Sequence, residues 1–99
     1  MIRTIIERQV KDKESLTHLL QQLRSSAMQW PGYISGETLM STSDPGKIIT
    51  ISTWRGLEDW EIWGKSEKRA ALYQQIEPLL AGKPIVNTYE ILATEAPPR

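Results

Sequence analysis

Residues 33–54, YISGETLMSTSDPGKIITISTW, read as two extended runs about a turn, and that reading decides the fold. Tyr33 to Ser41 and Lys47 to Trp54 are rich in β-branched and aromatic residues, which suit a pleated, half-buried surface. Between them, Asp44-Pro45-Gly46-Lys47 matches a type II turn, with proline fixing φ at the second position and glycine supplying positive φ at the third. A β-hairpin therefore occupies the middle of the chain.

On its N-terminal side, Ile2 to Val10 mixes β-branched residues with Arg and Glu and ends at the polar turn Lys11-Asp12-Lys13, so it reads as strand one. From Glu14 the period changes: Leu16, Leu19, Leu20, Leu23 and Ala27 recur at helical spacing, with Asp12 placed to cap the helix. Trp30-Pro31-Gly32 ends it, because a residue before proline is pushed out of the α region. Beyond the hairpin, Leu57, Trp60 and Trp63 form a short apolar helical face. Ser66 caps a further helix carrying Ala70, Tyr73, Ile76 and Leu80, which Pro78 weakens near its end. Gly82-Lys83-Pro84 breaks the chain, and Ile85 to Leu92 forms a last strand. The folded domain is expected over residues 1–93, with 94–99 a mobile tail ending in Pro97-Pro98-Arg99.

The order strand, helix, strand, strand, helix pair, strand predicts an α+β fold of the ferredoxin-like kind, a four-stranded antiparallel sheet with helices on one face. Such a sheet normally alternates apolar and polar residues, since its second face meets water. Here strand one carries Ile2, Ile6 and Val10 on one side and Ile5 on the other, and strand three sets Ile48 against Ile49 and Ile51. Both faces are thus partly apolar, and a second copy of the chain is the expected cover, giving a homodimer.

Composition narrows the function. The chain's 99 residues suffice for one core, and 39% hydrophobic with 24% charged residues are ordinary globular values. Twelve Lys and Arg balance twelve Asp and Glu with no basic cluster, which argues against a nucleic-acid partner. No cysteine is present, so thiolate catalysis and Cys-rich metal sites are excluded, and a reducing cytoplasm is the expected compartment. Charges interrupt the N-terminal apolar residues too often for a spanning helix, so no membrane association is expected. The single histidine, His18, falls off the leucine stripe and is expected to be exposed rather than to bind metal. Neither a dinucleotide fingerprint nor a P-loop occurs, and no cofactor is expected.

What remains is the run Trp54 to Arg69, which holds three of the four tryptophans of a chain that lacks phenylalanine. Packing explains such residues well; an indole whose N–H needs a partner also suits the wall of a cleft. Trp54 is read as packing, Trp60 as packing that also borders a cleft, and Trp63 as cleft wall. Glu7 and Arg8 alternate on strand one and fall on opposite faces, where each would also serve merely to solvate its face.

The chain resembles the antibiotic biosynthesis monooxygenase family. The resemblance rests on Ile6-Glu7-Arg8, on Pro31 to Leu39, on Ile51 to Trp54, and on Trp60-x-x-Trp63-x-x-Ser66-x-x-Arg69 ahead of Ile76-Glu77-Pro78-Leu79-Leu80. It implies a homodimer in which two ferredoxin-like sheets pack into a barrel, each subunit holding a cleft between its sheet and helices. Some relatives oxygenate aromatic polyketides without metal or flavin, since an electron-rich phenol, once deprotonated, can itself reduce dioxygen. On that basis Tyr73, Glu7 and Asn87 are the catalytic candidates. Trp63, Trp60 and Arg69 would bind a small apolar or aromatic substrate, with Arg69 stabilising an anionic substrate or enolate. Two other functions stay open: a non-catalytic small-molecule binding or stress-response dimer, and haem binding or degradation. Haem-degrading relatives carry an asparagine in strand one, a tryptophan in the short helix and an iron-binding histidine after it. Here Glu7 lies near the first position, Trp63 matches the second, and Tyr73 stands near the third.

Overall fold

A computed structural model describes residues 1–95, and the expected tail lies mostly outside them. The elements in chain order are β1 (Ile2–Gln9), α1 (Lys13–Met28), β2 (Tyr33–Met40), β3 (Lys47–Trp54), α2 (Leu57–Gly64), α3 (Glu67–Ile76) and β4 (Ile85–Glu90). The four strands form one antiparallel sheet in the order β2-β3-β1-β4, with the helices on one face, which is the ferredoxin-like arrangement.

Asp12 caps α1 as expected: its carboxylate accepts from the Ser15 amide at 3.3 Å and holds its own pKa below the usual value, through the Ser15 hydrogen bonds. Leu16, Leu20, Leu23 and Ala27 line the buried stripe of α1, and His18 is exposed beside Gln22. After α1 the chain turns through Gly32, the one described residue with positive φ (+88°), where an added Cβ would collide with the Asp59 side chain. Ser66 caps α3 by accepting from the Arg69 amide at 3.2 Å. Pro78 ends the regular helix by turning Glu77–Leu79 into a single 3₁₀ turn.

Three local expectations need correction. The hairpin turn is not type II, because Gly46 does not have positive φ; the Asp44 carboxylate instead accepts the Gly46 amide at 3.1 Å, and the Lys47 amide donates to the Asp44 carbonyl at 2.9 Å. An Asx-turn made by the aspartate thus displaces the geometry inferred from the Pro-Gly pair. Ala70 is exposed, so α3 buries Ile76 and half-buries Leu72 and Tyr73, while Leu80 lies past the helix and bridges to Val10. The last strand stops at Glu90 rather than Leu92.

Register fixes the two faces of the sheet, because residues paired across antiparallel strands share a face. Ile2, Thr4, Ile6 and Arg8 alternate as the buried positions of β1 and meet the helices together with Ile48, Thr50, Ser52 and Trp54 of β3. The opposite parity carries Arg3, Ile5, Glu7, Ile49, Ile51, Leu39, Ile85, Asn87 and Tyr89 onto the outer face. Both faces are apolar in part, as the strand patterns predict.

Candidate functional site

The helix face of the sheet and the helices enclose a cleft whose wall is mostly aromatic and aliphatic. Ile6, Leu20, Leu23, Trp54, Trp60 and Trp63 supply its apolar lining, and Arg8, Arg24 and Arg69 also border it. Its empty space, mouth included, is about 500 Å³, and the enclosed part is narrow. Among the described residues no group of His, Cys, Asp or Glu could hold a metal ion.

The aromatic wall is built by edge-on contacts. Trp54 is fully buried, with Tyr33 edge-on at 5.3 Å and Trp60 at 5.9 Å. Its indole N–H donates to the Ser52 hydroxyl at 3.0 Å, so burial leaves no polar atom of this ring unmatched. Trp63 packs on Trp30 with ring centres 5.1 Å apart and is 2% exposed, whereas Trp60 stays half-buried. The expected division of labour thus shifts: Trp63 is the more deeply packed, and Trp60 is the indole facing a cation.

That cation is Arg69, whose guanidinium carbon lies 5.8 Å from the Trp60 ring centre and 4.6 Å from that of Tyr73. Burial lowers the pKa of Arg69 from its ordinary value; Tyr73 opposes the shift and the charge of Arg8 adds to it. Arg8 is almost completely buried, at 1% exposure. Its Nε donates to the Tyr73 hydroxyl at 3.1 Å and its Nη1 to the Thr50 hydroxyl at 3.0 Å, while the buried Nη2 has no hydrogen-bond partner among the described residues. Tyr73 therefore contacts both guanidinium groups.

Of the six candidates drawn from sequence, Trp60, Trp63, Arg69 and Tyr73 come together here. Glu7 and Asn87 do not. Glu7 pairs in register with Ile85, and Asn87 with Ile5, which turns both side chains to the outer face. There Glu7 makes an ion pair with Lys47 at 2.6 Å and holds the lysine's pKa above its usual value. The residue missed is Arg8, next to Glu7 and of opposite parity. A strand pattern shows alternation without saying which parity faces the helices, and a charged residue was the natural one to place outside.

The two-layer fold, a four-stranded antiparallel sheet with helices on one face and a cleft between the layers, defines a class of small α+β proteins. The profile of the antibiotic biosynthesis monooxygenase family matches residues 1–75, and the chain belongs to that family. Among solved structures, a Nitrosomonas europaea protein assigned to these monooxygenases superposes with a TM-score of 0.85 at 17% identity, covering 94% of this chain and 100% of its own. A Caulobacter crescentus protein given the same assignment scores 0.86 at 14% identity, with 93% and 90% covered. SnoaB of Streptomyces nogalater, described as a cofactor-independent oxygenase, scores 0.86 at 8% identity, with 94% of each chain covered. At these identities the superpositions establish a shared fold alone. No curated protein matches the sequence.

Proposed function

We propose that the chain is a cofactor-independent monooxygenase of a small aromatic, quinol-like substrate, acting as a homodimer. The observation that carries the reading is the apolar cleft walled by Trp60 and Trp63, with the hydrogen-bonded pair Tyr73 and Arg8 beside it. An aromatic substrate fits such a wall, and the guanidinium groups favour its ionised form, the form that gives electrons to dioxygen. In the net reaction the ring methylene of the substrate's keto tautomer and O₂ yield a ring carbonyl and water. One oxygen atom enters the substrate, and the other leaves with the two displaced hydrogens. In this reading Tyr73 exchanges a proton with the substrate, a role supported by its hydrogen bond to Arg8, which borders the cleft. Glu7 and Asn87 have no part in this site. For the dimer, the support is the outer face, where Leu39, Ile85 and Tyr89 are 41%, 57% and 53% exposed beside the half-buried Ile5, Ile49 and Ile51.

Oxygen uptake with a panel of aromatic quinols tests the assignment. Uptake should exceed the enzyme-free rate, and Trp63→Ala and Tyr73→Phe should each lower kcat/KM by about tenfold or more, the range expected for lost orientation or proton transfer. A panel with no uptake above the enzyme-free rate would sink the reading.

One observation favours non-catalytic binding as a second reading: among the described residues the only carboxylate bordering the cleft is Glu37, which pairs in register with Ile51 and so belongs to the outer face. Turnover by purified protein separates the two. A haem reading rests on Tyr73 as the iron ligand, but that hydroxyl already accepts from Arg8, and the narrow cleft would have to part to admit a porphyrin. A flat absorbance spectrum on haem titration removes it.

A further inference from the structure

The cleft carries positive charge that no neighbouring carboxylate neutralises. Among the described residues the one ion pair is that of Lys47 with Glu7 on the outer face, so neither Arg8 nor Arg69 has a carboxylate within ion-pairing distance. Arg24 adds a third cation at the exposed side, where it donates to the Thr38 hydroxyl at 3.4 Å. Glu37, the one acidic residue at the cleft border, has the strand parity of the outer face. The Tyr73 ring only partly shields the two guanidinium groups near it, at 5.6 Å for Arg8 and 4.6 Å for Arg69.

An unpaired buried charge is costly, and a buried N–H without an acceptor adds to the cost. Arg8 has both properties: two of its nitrogens are fixed by Tyr73 and Thr50, and the third, Nη2, is sealed from water without a partner. Its hydrogen bonds hold the guanidinium in place while leaving that nitrogen free. Such a fixed donor is suited to an anionic oxygen, to which guanidinium hydrogen bonds are strongest.

We propose that this cleft recognises its ligand by an ionised oxygen, the carboxylate or ionised enol of an aromatic acid, held between Arg8 Nη2 and the Arg69 guanidinium with the ring against Trp60. The inference rests on the assignment of the cleft as the substrate site and adds Arg8, through its unpartnered Nη2, to Arg69 as the pair that fixes the substrate's ionised oxygen.

Calorimetric titration of the intact protein at neutral pH with 2-naphthoate, 2-hydroxy-1,4-naphthoquinone and the uncharged 2-naphthamide tests this. At least one anion should bind about tenfold to a hundredfold more tightly than the amide, the range for a hydrogen bond to a charged group. Which anion binds tells carboxylate from enol. Arg8→Met should remove the preference and raise Tm, since it replaces an uncompensated charge by an apolar chain of similar length. Arg69→Gln, at a less buried position, should reduce the preference by about tenfold even if the Arg8 variant fails to fold. The proposal is overturned if the amide binds as well as both anions, if no probe binds, or if either folded variant keeps the full preference. Anion-selective binding without oxygen uptake would leave this inference standing and defeat the oxygenase assignment. Oxygen uptake from an uncharged quinol, undiminished in Arg8→Met, would do the reverse.

Discussion

At the scale of single residues, the cleft shows two ways of burying a polar group in an apolar wall. Trp54 hides a whole indole, worth roughly 4–6 kcal/mol by area, and satisfies its N–H with Ser52 two residues earlier on the same strand face. Ser52→Ala should therefore cost about 1–3 kcal/mol, because the indole N–H would be left buried without an acceptor. Chemical denaturation measures it, and an unchanged midpoint would show that the hydroxyl is dispensable. Arg8 hides a charge with only two of its three nitrogens satisfied, and its partners lie 42 and 65 positions away in the chain. That separation explains why the burial of Arg8 was not legible in the sequence, while the clustering of Trp63 and Arg69 was. Tryptophan density and the Ser66 to Arg69 spacing are local signals, whereas the burial of Arg8 depends on which parity of β1 the helices cover. The same ambiguity placed Glu7 and Asn87 in a site from which the sheet separates them.

At the scale of elements, local chemistry predicted starts and stops well. Asp12 and Ser66 cap α1 and α3, Pro78 ends α3, and β3 runs from Lys47 to Trp54 as its composition indicates. The hairpin turn was misjudged because two local signals compete there, and the Asp44 side chain prevails over the freedom of Gly46. The Ser66 cap also has a role in the site. It fixes the first turn of α3 through the amide of Arg69, the residue whose side chain lies over Tyr73 and Trp60. Ser66→Ala should destabilise the fold by about 1 kcal/mol, lowering Tm by about 4–8 °C, and should weaken ligand binding through a looser Arg69. Thermal denaturation and titration measure the two effects. Lost stability with unaltered affinity would show that the cap does not position the arginine.

At the scale of the molecule, the helices cover one face of the sheet and leave a partly apolar face open. If a second copy covers it, light scattering at micromolar concentration should give twice the chain mass. Ile51→Glu, which sets a charge among Ile5, Ile49 and Leu39, should then yield a monomer. A monomeric mass for the unaltered protein would refute the dimer. The two-sided apolar pattern was readable in the strands, but the identity of the covering surface is not a property of one chain. The indoles have an optical consequence. Trp30 lies against Trp63 and Trp54 against Trp60, at 5.1 and 5.9 Å, and Trp60 and Trp63 share one short helix. The four chromophores therefore form two close pairs joined through α2, three of the four rings bordering the cleft, and the near-ultraviolet circular dichroism of the protein should carry the mutual orientation within each pair. A colourless ligand that tilts one ring of a pair would alter that pair's contribution, giving the unlabelled chain its own reporter of occupancy.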